Sequence, residues 1–509
     1  AVIQRAKEYL DMLGRVARYR QTAGLMSESV DRNRQVVRQM PGLPGRIRLS
    51  AGLAITLGWI VTAHSTPNIL LIIGDDMGVE TVASYGVGEN PPMTTHIDDL
   101  AGNGVRFTRF WAQPVCSPTR ATIMTGRYGF RTGIGRPVTN RGPLPEAPQI
   151  PDWALPYVNT ETGGGMGMGA DDLQSLPRHG LGVDEYTLTH AFDANGHLGY
   201  STAAIGKWHL ADADNGWQDH ATRIGFDYFT GGLTGGPESY FAWTEVVDGE
   251  VTGATGYAPT DKVDDAIAWI GTRGDRPWFM WMGFNLPHTP LHTPPDDARH
   301  GNSSSQYGAM IEAMDTQIGR LLASIAPDVL ENTYVLFLGD NGTQSGNVTA
   351  PFQNGRAKGT VYQGGVNVPF IVSGPGVPRG AVSEALVNST DLFVTIMEMA
   401  GIDPAETIPA DVTHDSVSFL ETLSDPSAAP RDWIYADEFF GGFEGVETAD
   451  YAMRDERYKL MRFDSVEEFY DLQADPYEHH DLLGGELTVE QRAAYAALKA
   501  EVEMLRSSR

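Results

Sequence analysis

Asn68-Ile-Leu-Leu-Ile-Ile73, preceded by Pro67 and followed by Gly74-Asp75-Asp76, is a short, continuous apolar run rich in branched side chains. A run of this kind, with no polar residue alternating through it, predicts a fully buried strand of a parallel sheet. Asp75 and Asp76 then fall at its carboxyl end, where open α/β sheets place their ligands. The same grammar returns in Tyr334-Val-Leu-Phe-Leu338, which runs into Gly339-Asp340-Asn341-Gly342. Asp75, Asp76, Asp340 and Asn341 together offer three carboxylates and one amide carbonyl. These hard oxygen donors suit Ca²⁺ or Mg²⁺ rather than a metal that seeks thiolates.

Between the two strands lies Cys116-Ser-Pro-Thr-Arg120, continuing to Met124-Thr-Gly-Arg127. Cys116 is the only cysteine of the 509 residues, so it forms no internal disulfide. Pro118 suits the first turn of a helix, where its missing N–H costs nothing. Arg120, four residues on, shares a helical face with Cys116. A nucleophile-sized group thus sits at a helix N-terminus, a natural place for an anion, with a guanidinium nearby.

Further candidates follow in order. Tyr200-Ser-Thr-Ala-Ala-Ile205 reads as another strand, running into Gly206-Lys207-Trp208-His209; if that tetrad is extended, Lys207 and His209 share a face opposite Trp208. Trp278 to Phe284 is a hydrophobic strand ending at Asn285-Leu-Pro-His288-Thr-Pro, which puts His288 at a strand terminus and leaves His292 a structural or rim role. Gly355-Arg-Ala-Lys358-Gly, continuing to Gly364-Gly365, reads as a turn-rich connector in which glycine permits positive φ and close packing.

Taken together, Cys-x-Pro-x-Arg with Thr-Gly-Arg, the Gly-Lys-Trp-His tetrad, His288-Thr-Pro, the two acidic strand ends and the Lys358 segment resemble the signatures of the formylglycine-dependent, arylsulfatase-like sulfatases of the alkaline-phosphatase-like superfamily. The resemblance covers about residues 67–135, 183–230 and 262–509. It implies an α/β fold with a large mixed, mostly parallel sheet between helices and a small C-terminal antiparallel sheet-plus-helix subdomain. It further implies that Cys116 is oxidised to formylglycine by a formylglycine-generating enzyme, and that Asp75, Asp76, Asp340, Asn341 and residue 116 hold a cation, Ca²⁺ before Mg²⁺. Arg120 would offset charge on the sulfate, Lys207 and His209 would serve the nucleophile, and His288 and Lys358 would assist the departing oxygen, one of them as general acid. One departure stands out: the family usually has Glu and Arg where this chain has Gln363 and Asn367, so a supporting ion pair becomes an amide pair.

With 41% hydrophobic and 20% charged residues the chain is globular, and a formal charge of −28 excludes nucleic acid as a partner, since phosphate neutralisation needs basic surface. Residues 1–48 are different, with ten Lys/Arg against four Asp/Glu. The apolar run Leu49 to Val61, preceded by Arg46 and Arg48 and closed by Ala63-His64-Ser65, has the layout of a signal peptide over 49–65. It is shorter than the about 20 apolar residues of a membrane span. Met40 is then the expected initiator, with the stretch before it an upstream extension. This organisation predicts a catalytic domain over 66–429, a C-terminal subdomain over 430–509, and a periplasmic or secreted protein without a stable membrane anchor. Residues 136–182, rich in Gly and Pro, read as a long irregular loop at a pocket rim.

The expected reaction is hydrolysis of a sulfate monoester, of an aryl group or at the end of a sugar chain. A phosphonate or phosphate ester hydrolase on the same scaffold, and a non-catalytic binder of sulfated glycans, are the alternatives the residues leave open.

Overall fold

The computed structural model describes residues 66–158 and 179–509; the signal-peptide reading, the Met40 start and the middle of the 136–182 loop lie outside them. The large sheet is built from β1 (Asn68–Gly74), β2 (Val105–Trp111), β3 (Ser201–Lys207), β4 (Tyr228–Gly232), β5 (Ala242–Val247), β6 (Glu250–Thr255), β7 (Trp278–Gly283), β8 (Thr333–Gly339), β9 (Phe370–Ser373) and β10 (Ala381–Asn388). Their order is β10-β2-β9-β8-β1-β7-β3-β4-β5-β6. The central run β8-β1-β7-β3-β4 is parallel throughout, while β9 and β5 run against their neighbours. The mostly parallel α/β architecture expected from the two acidic strands is what forms.

Both faces of the central strands are buried, which is why they read as unbroken apolar runs. On β1, Ile69, Leu71 and Ile73 enter one core and Leu70 and Ile72 the other. β8 splits likewise, with Leu336 and Leu338 on the first side and Val335 and Phe337 on the second. The first face is covered by α2 (Cys116–Thr125), α3 (Leu188–Ala194) and α6 (Leu392–Met399), the second by α1 (Thr95–Gly102), α4 (Ala258–Gly271) and α5 (Gln306–Ser324). Each fully buried Leu or Ile stabilises this sandwich by roughly 1.5–3 kcal/mol.

Register decides where the chemistry falls. Gly339 pairs with Gly74, Ile73 with Gly283, and Gly283 with Gly206, so four strands end on one line. The residues just beyond that line include Asp340, Asp75 and Lys207. Backbone bonds fix the turns to one another: Asp340 N–H donates to Gly74 O at 2.9 Å, Asp75 N–H to Leu286 O at 2.9 Å, and Met77 N–H to Asn341 O at 3.0 Å.

From residue 434 on, β11 (Ile434–Glu438), β12 (Asp450–Arg454), β13 (Tyr458–Phe463) and β14 (Val466–Asp471) form an antiparallel sheet in chain order. One face takes Leu498 and Val502 of the closing helix α7 (Val489–Ser507), and the other packs on Trp111, Val361 and Val366 of the larger part. Among the described residues no helix is long and apolar enough to cross a membrane.

Candidate active site

α2 begins at Cys116 because Val115 is still extended and Pro118 fits the first turn; it ends where Gly126, at φ 68°, donates its N–H to Thr122 O at 2.8 Å. A side chain at 126 would need that left-handed φ and would also meet the Phe393 ring at 2.6 Å, so glycine is required twice over. Every residue of α2 is buried. Cys116 Sγ lies 4.0 Å from Lys358 Nζ. Burial pushes its thiol up to about 11, against the pull of Lys207 and Lys358, so at neutral pH the sulfur is a thiol and not a thiolate.

Around it three carboxylates each hold a cation. Asp75 Oδ2 is 2.5 Å from Lys207 Nζ, Asp76 Oδ1 pairs with Lys358 Nζ, and Asp340 Oδ2 receives Arg120 Nη2 at 2.8 Å. Asn341 Nδ2 donates to Asp76 Oδ1 at 2.9 Å, and the Asp76 N–H to Asp340 Oδ1 at 3.2 Å. Burial drives the Asp75 carboxyl well above its usual range despite Lys207; Asp76 is also buried, but Lys358, His288 and Lys207 outweigh that and hold it below the usual range.

Asp75 Oδ1, Asp76 Oδ2 and Asn341 Oδ1 are buried and accept no hydrogen bond among the described residues. Orphaned buried oxygens are costly, and their convergence here is the donor set of a hard cation. Ligand atoms of Asp75, Asp76 and Cys116 lie within 4.8 Å of one another. The residues present therefore fit a divalent ion.

Two histidines complete the cluster. His209 Nε2 lies 3.1 Å from the Val138 carbonyl, which can only accept, so Nε2 carries the proton and the buried, partnerless Nδ1 carries the lone pair. Burial, Lys207 and Arg120 hold this ring far below the usual histidine range, hence neutral. His288 Nδ1 donates to Thr289 O at 2.7 Å, leaving Nε2 as its free atom, and burial lowers it to about 3 although Asp76 pulls the other way.

The ten residues expected from sequence to act in catalysis or hold a metal come together here, and three details differ from the sequence reading. The Lys207-Trp208-His209 stretch is not extended: Gly206 has φ 91° and His209 φ 61°, so the chain kinks on leaving β3, and Trp208 goes into the core. Arg120 does not line the pocket. Its guanidinium is wholly buried on Asp340 and on the Lys207 carbonyl, 2.7 Å from Nη1. The side chains of Gln363 and Asn367 do not pair either; Gln363 Oε1 accepts from Trp111 Nε1 at 2.8 Å and Asn367 Oδ1 has no partner among the described residues. His292 sits in an aromatic box, Nε2 3.2 Å from Tyr257 Oη and its ring 4.3 Å from that of Tyr240, consistent with a structural place.

Several contributors carried no signal of their own. Ser117 Oγ donates to His209 O at 2.8 Å and accepts from Val138 N at 3.0 Å, tying the 136–158 segment to α2. Tyr307 Oη donates to Asp76 O at 2.6 Å and Tyr240 Oη to His288 O at 2.8 Å. Ser117 stands inside the cysteine motif and was findable there; Val138 acts through its backbone carbonyl, which no residue type announces.

The sulfatase family model matches residues 67–402, and a model described as N-sulphoglucosamine sulphohydrolase, C-terminal, matches residues 356–508. The chain belongs to the sulfatase family and is a sulfuric ester hydrolase. It is 29% identical over 415 residues to N-acetylgalactosamine-6-sulfatase of Sus scrofa (76% of this chain, 70% of that protein) and 26% identical over 465 residues to arylsulfatase A of Bos taurus (85% and 80%). Its fold is similar to the crystal structure of Ps i-CgsB with k-i-k-neocarrahexaose, TM-score 0.69 at 23% identity, covering 87% of this chain and 93% of that one. It is also similar to BT4656 in complex with D-glucosamine-2-N,6-O-disulfate, TM-score 0.63 at 19% identity, covering 87% and 99%.

Proposed function

We propose that this sulfatase removes sulfate from small aryl esters or from the terminal residue of a short sugar chain, using formylglycine made from Cys116 and one divalent cation, Ca²⁺ before Mg²⁺. The observation that carries the reading is the convergence of three orphaned oxygens, the Cys116 sulfur and the bare Nδ1 of His209 in one buried cluster. A buried thiol held un-ionised is a poor nucleophile by itself, which favours a site built for its oxidised form. That form would supply an aldehyde hydrate able to attack sulfur and then release it, and a cation held by Asp75, Asp76, Asp340 and Asn341 would supply charge against the sulfate oxygens.

The chain's own groups divide the remaining work. Lys207, wholly buried against Asp75, sits beside the nucleophile as a fixed positive charge. His209, neutral and with Nδ1 unoccupied, is the base that takes a proton from the residue at 116. Lys358, 4.0 Å from Sγ, keeps its proton because Asp76 faces it, and so it is the group able to donate to the departing oxygen in the unliganded site. Burial also lowers His288, which can take the acid role only once an incoming anion has raised its affinity for a proton.

Substrates borne by a sugar are favoured by the names of the relatives, and small ones by the charge of −28, which repels long polyanions within the roughly 8 Å that physiological salt leaves unscreened. The apolar run before residue 65 supports export, to the periplasm or beyond. The test is intact mass with sulfate release. Active protein should be about 18 Da lighter than its sequence requires, the difference between formylglycine and cysteine, and Cys116→Ala should release no sulfate. Full turnover by Cys116→Ala would end the proposal.

A further inference from the structure

The seam between the large sheet and the small one encloses a cavity of about 490 Å³ that none of the active-site residues lines. β12 and β13 set Arg454 directly opposite Lys459. Cross-strand partners share a face, here the inner one that packs on Trp111. Two buried like charges side by side destabilise the sheet unless each finds an anion.

The carboxylates nearby are nearly all taken. Lys459, wholly buried, pairs with Glu478 Oε1 and donates to Val361 O at 2.6 Å; the other Glu478 oxygen accepts from Gln363 N at 2.7 Å. Arg109 Nη2 is 2.7 Å from Glu384, and its Nη1 is 3.9 Å from Glu456. Arg457 Nη2 is 2.7 Å from Asp471. Arg454 alone among these cations makes no ion pair with a described residue, although it is only 4% exposed. Its Nε and Nη2 donate to the backbone oxygens of Asp455 and Glu456, both at 2.9 Å, and Nη1 has no hydrogen-bond partner among the described residues. Burial and the neighbouring Arg109 weaken its charged form more than Asp455, Glu478 and Glu456 support it.

Two amides line the same cavity. Gln363 uses its oxygen on Trp111, which leaves the Nε2 hydrogens unengaged, and Asn367 makes no side-chain hydrogen bond among the described residues. A guanidinium edge and two amide donors around a void are the chemistry of an oxyanion site.

We propose that this cavity binds a sulfate group, with Arg454 as its charged ligand and Gln363 and Asn367 as neutral donors. The group is either free inorganic sulfate or the sulfate of a single sugar. Glu384 and Glu456 also line it, but their ion pairs are with Arg109.

The test is calorimetric titration of the full chain carrying Cys116→Ala, which prevents turnover, with sodium sulfate in one arm and a sugar 6-sulfate in the other. It is repeated with Arg454→Gln and with Gln363→Glu, whose new carboxylate keeps the bond to Trp111 and adds a negative charge to the lining that Arg454 shares. The active site is the same in all three proteins, so differences between them report the cavity. The parent should bind one more equivalent than the two variants, or bind it about tenfold more tightly, as loss of a charge-assisted hydrogen bond requires. The arm in which the difference is seen names the source of the sulfate. Gln363→Glu should also melt at a higher temperature than the parent when sulfate is absent, which keeps the proposal testable if Arg454→Gln fails to fold. With Cys116 in place, both variants should keep kcat/KM for a small aryl sulfate within about twofold. Equal stoichiometry and affinity in all three proteins, in both arms, would overturn the proposal.

Discussion

Arg120 reaches Asp340 Oδ2 with two nitrogens, Nη2 at 2.8 Å and Nε at 3.1 Å, while its third, Nη1, holds the Lys207 carbonyl at 2.7 Å. One buried guanidinium thereby joins the end of β8 to the end of β3. Because Lys207 and Lys358 are likewise set against Asp75 and Asp76, the three cations and three carboxylates cancel. Under the proposed function, attraction for sulfate would then rest on a divalent ion held by the orphaned oxygens, and less on a cationic lining than the sequence implied.

Arg120→Lys should weaken the site without unfolding the chain. Lysine keeps the charge but cannot fork across Asp340 and the Lys207 carbonyl together. Orienting partners of metal ligands typically matter by 10- to 100-fold in affinity. The expected outcome is at least about tenfold weaker Ca²⁺ binding, with kcat falling in parallel and restored in part by excess Ca²⁺. Unchanged metal affinity, read by titration with a chelator, would show that the clamp does not position Asp340.

Glu80 offers a test of stability against pH. It is 2% exposed, neither carboxylate oxygen makes a well-formed hydrogen bond among the described residues, and burial, outweighing the nearby Thr343 hydroxyl, raises it from 4.5 to about 7. A folded value above the unfolded one means that the native state binds the extra proton. The stabilisation is complete below about pH 4.5 and is lost as pH rises through 7. Glu80→Gln, which stays neutral, should therefore gain on the parent between pH 5 and 8, by roughly 3 kcal/mol at most. Denaturant unfolding at several pH values measures it, and a constant difference between the two proteins would refute the assignment.

Much of this was legible because strand ends and ligand types are written in the chain. The apolar runs of β1 and β8 and their terminal acids were readable as they stood, and the pairing of Gly74 with Gly339 brought them together. The path of Gly206 to His209 was not, since positive φ at a histidine is imposed by packing Trp208 into the core rather than by local preference. Nor could sequence show that Arg120 turns to Asp340, or that a backbone carbonyl at Val138 fixes the proton on His209, because both depend on long-range contacts. The Gln363 and Asn367 departure was visible, but the cavity that they line together with Arg454 needed the second sheet in place.

Thr234-Gly-Gly236 crosses directly over the two histidines, and a Cβ at Gly235 would stand 2.8 Å from His209 Cε1 and one at Gly236 3.0 Å from His288 Nδ1. Gly235→Ala should therefore push the His209 ring from its bond to Val138. A fall in kcat of about tenfold or more is expected, because small displacements of a positioned base are costly, with KM and melting temperature little changed. A normal kcat would mean that the loop gives way instead of the ring.

The division of labour between Lys358 and His288 can be read from the leaving group. In the unliganded site Lys358 holds its proton against Asp76, whereas His288 donates Nδ1–H to Thr289 O and presents a bare Nε2. If Lys358 is the acid, its removal matters most when the departing oxygen is strongly basic. Sulfate esters of sugars and alkyl alcohols should lose activity by about 10²- to 10⁴-fold in Lys358→Ala, the usual contribution of a general acid. A nitrophenyl sulfate, whose phenolate leaves without help, should lose far less. His288→Gln should slow both kinds of substrate by similar factors, since an amide can still orient the ester but has no proton to lend or withhold. The measurement is log kcat/KM against leaving-group pKa for the parent and both variants, at fixed Ca²⁺. A slope that steepens in Lys358→Ala and stays parallel in His288→Gln assigns the acid to Lys358. The opposite pattern would assign it to His288, and would mean that the anionic sulfate, on arriving beside that ring, overcomes the burial that otherwise keeps it neutral.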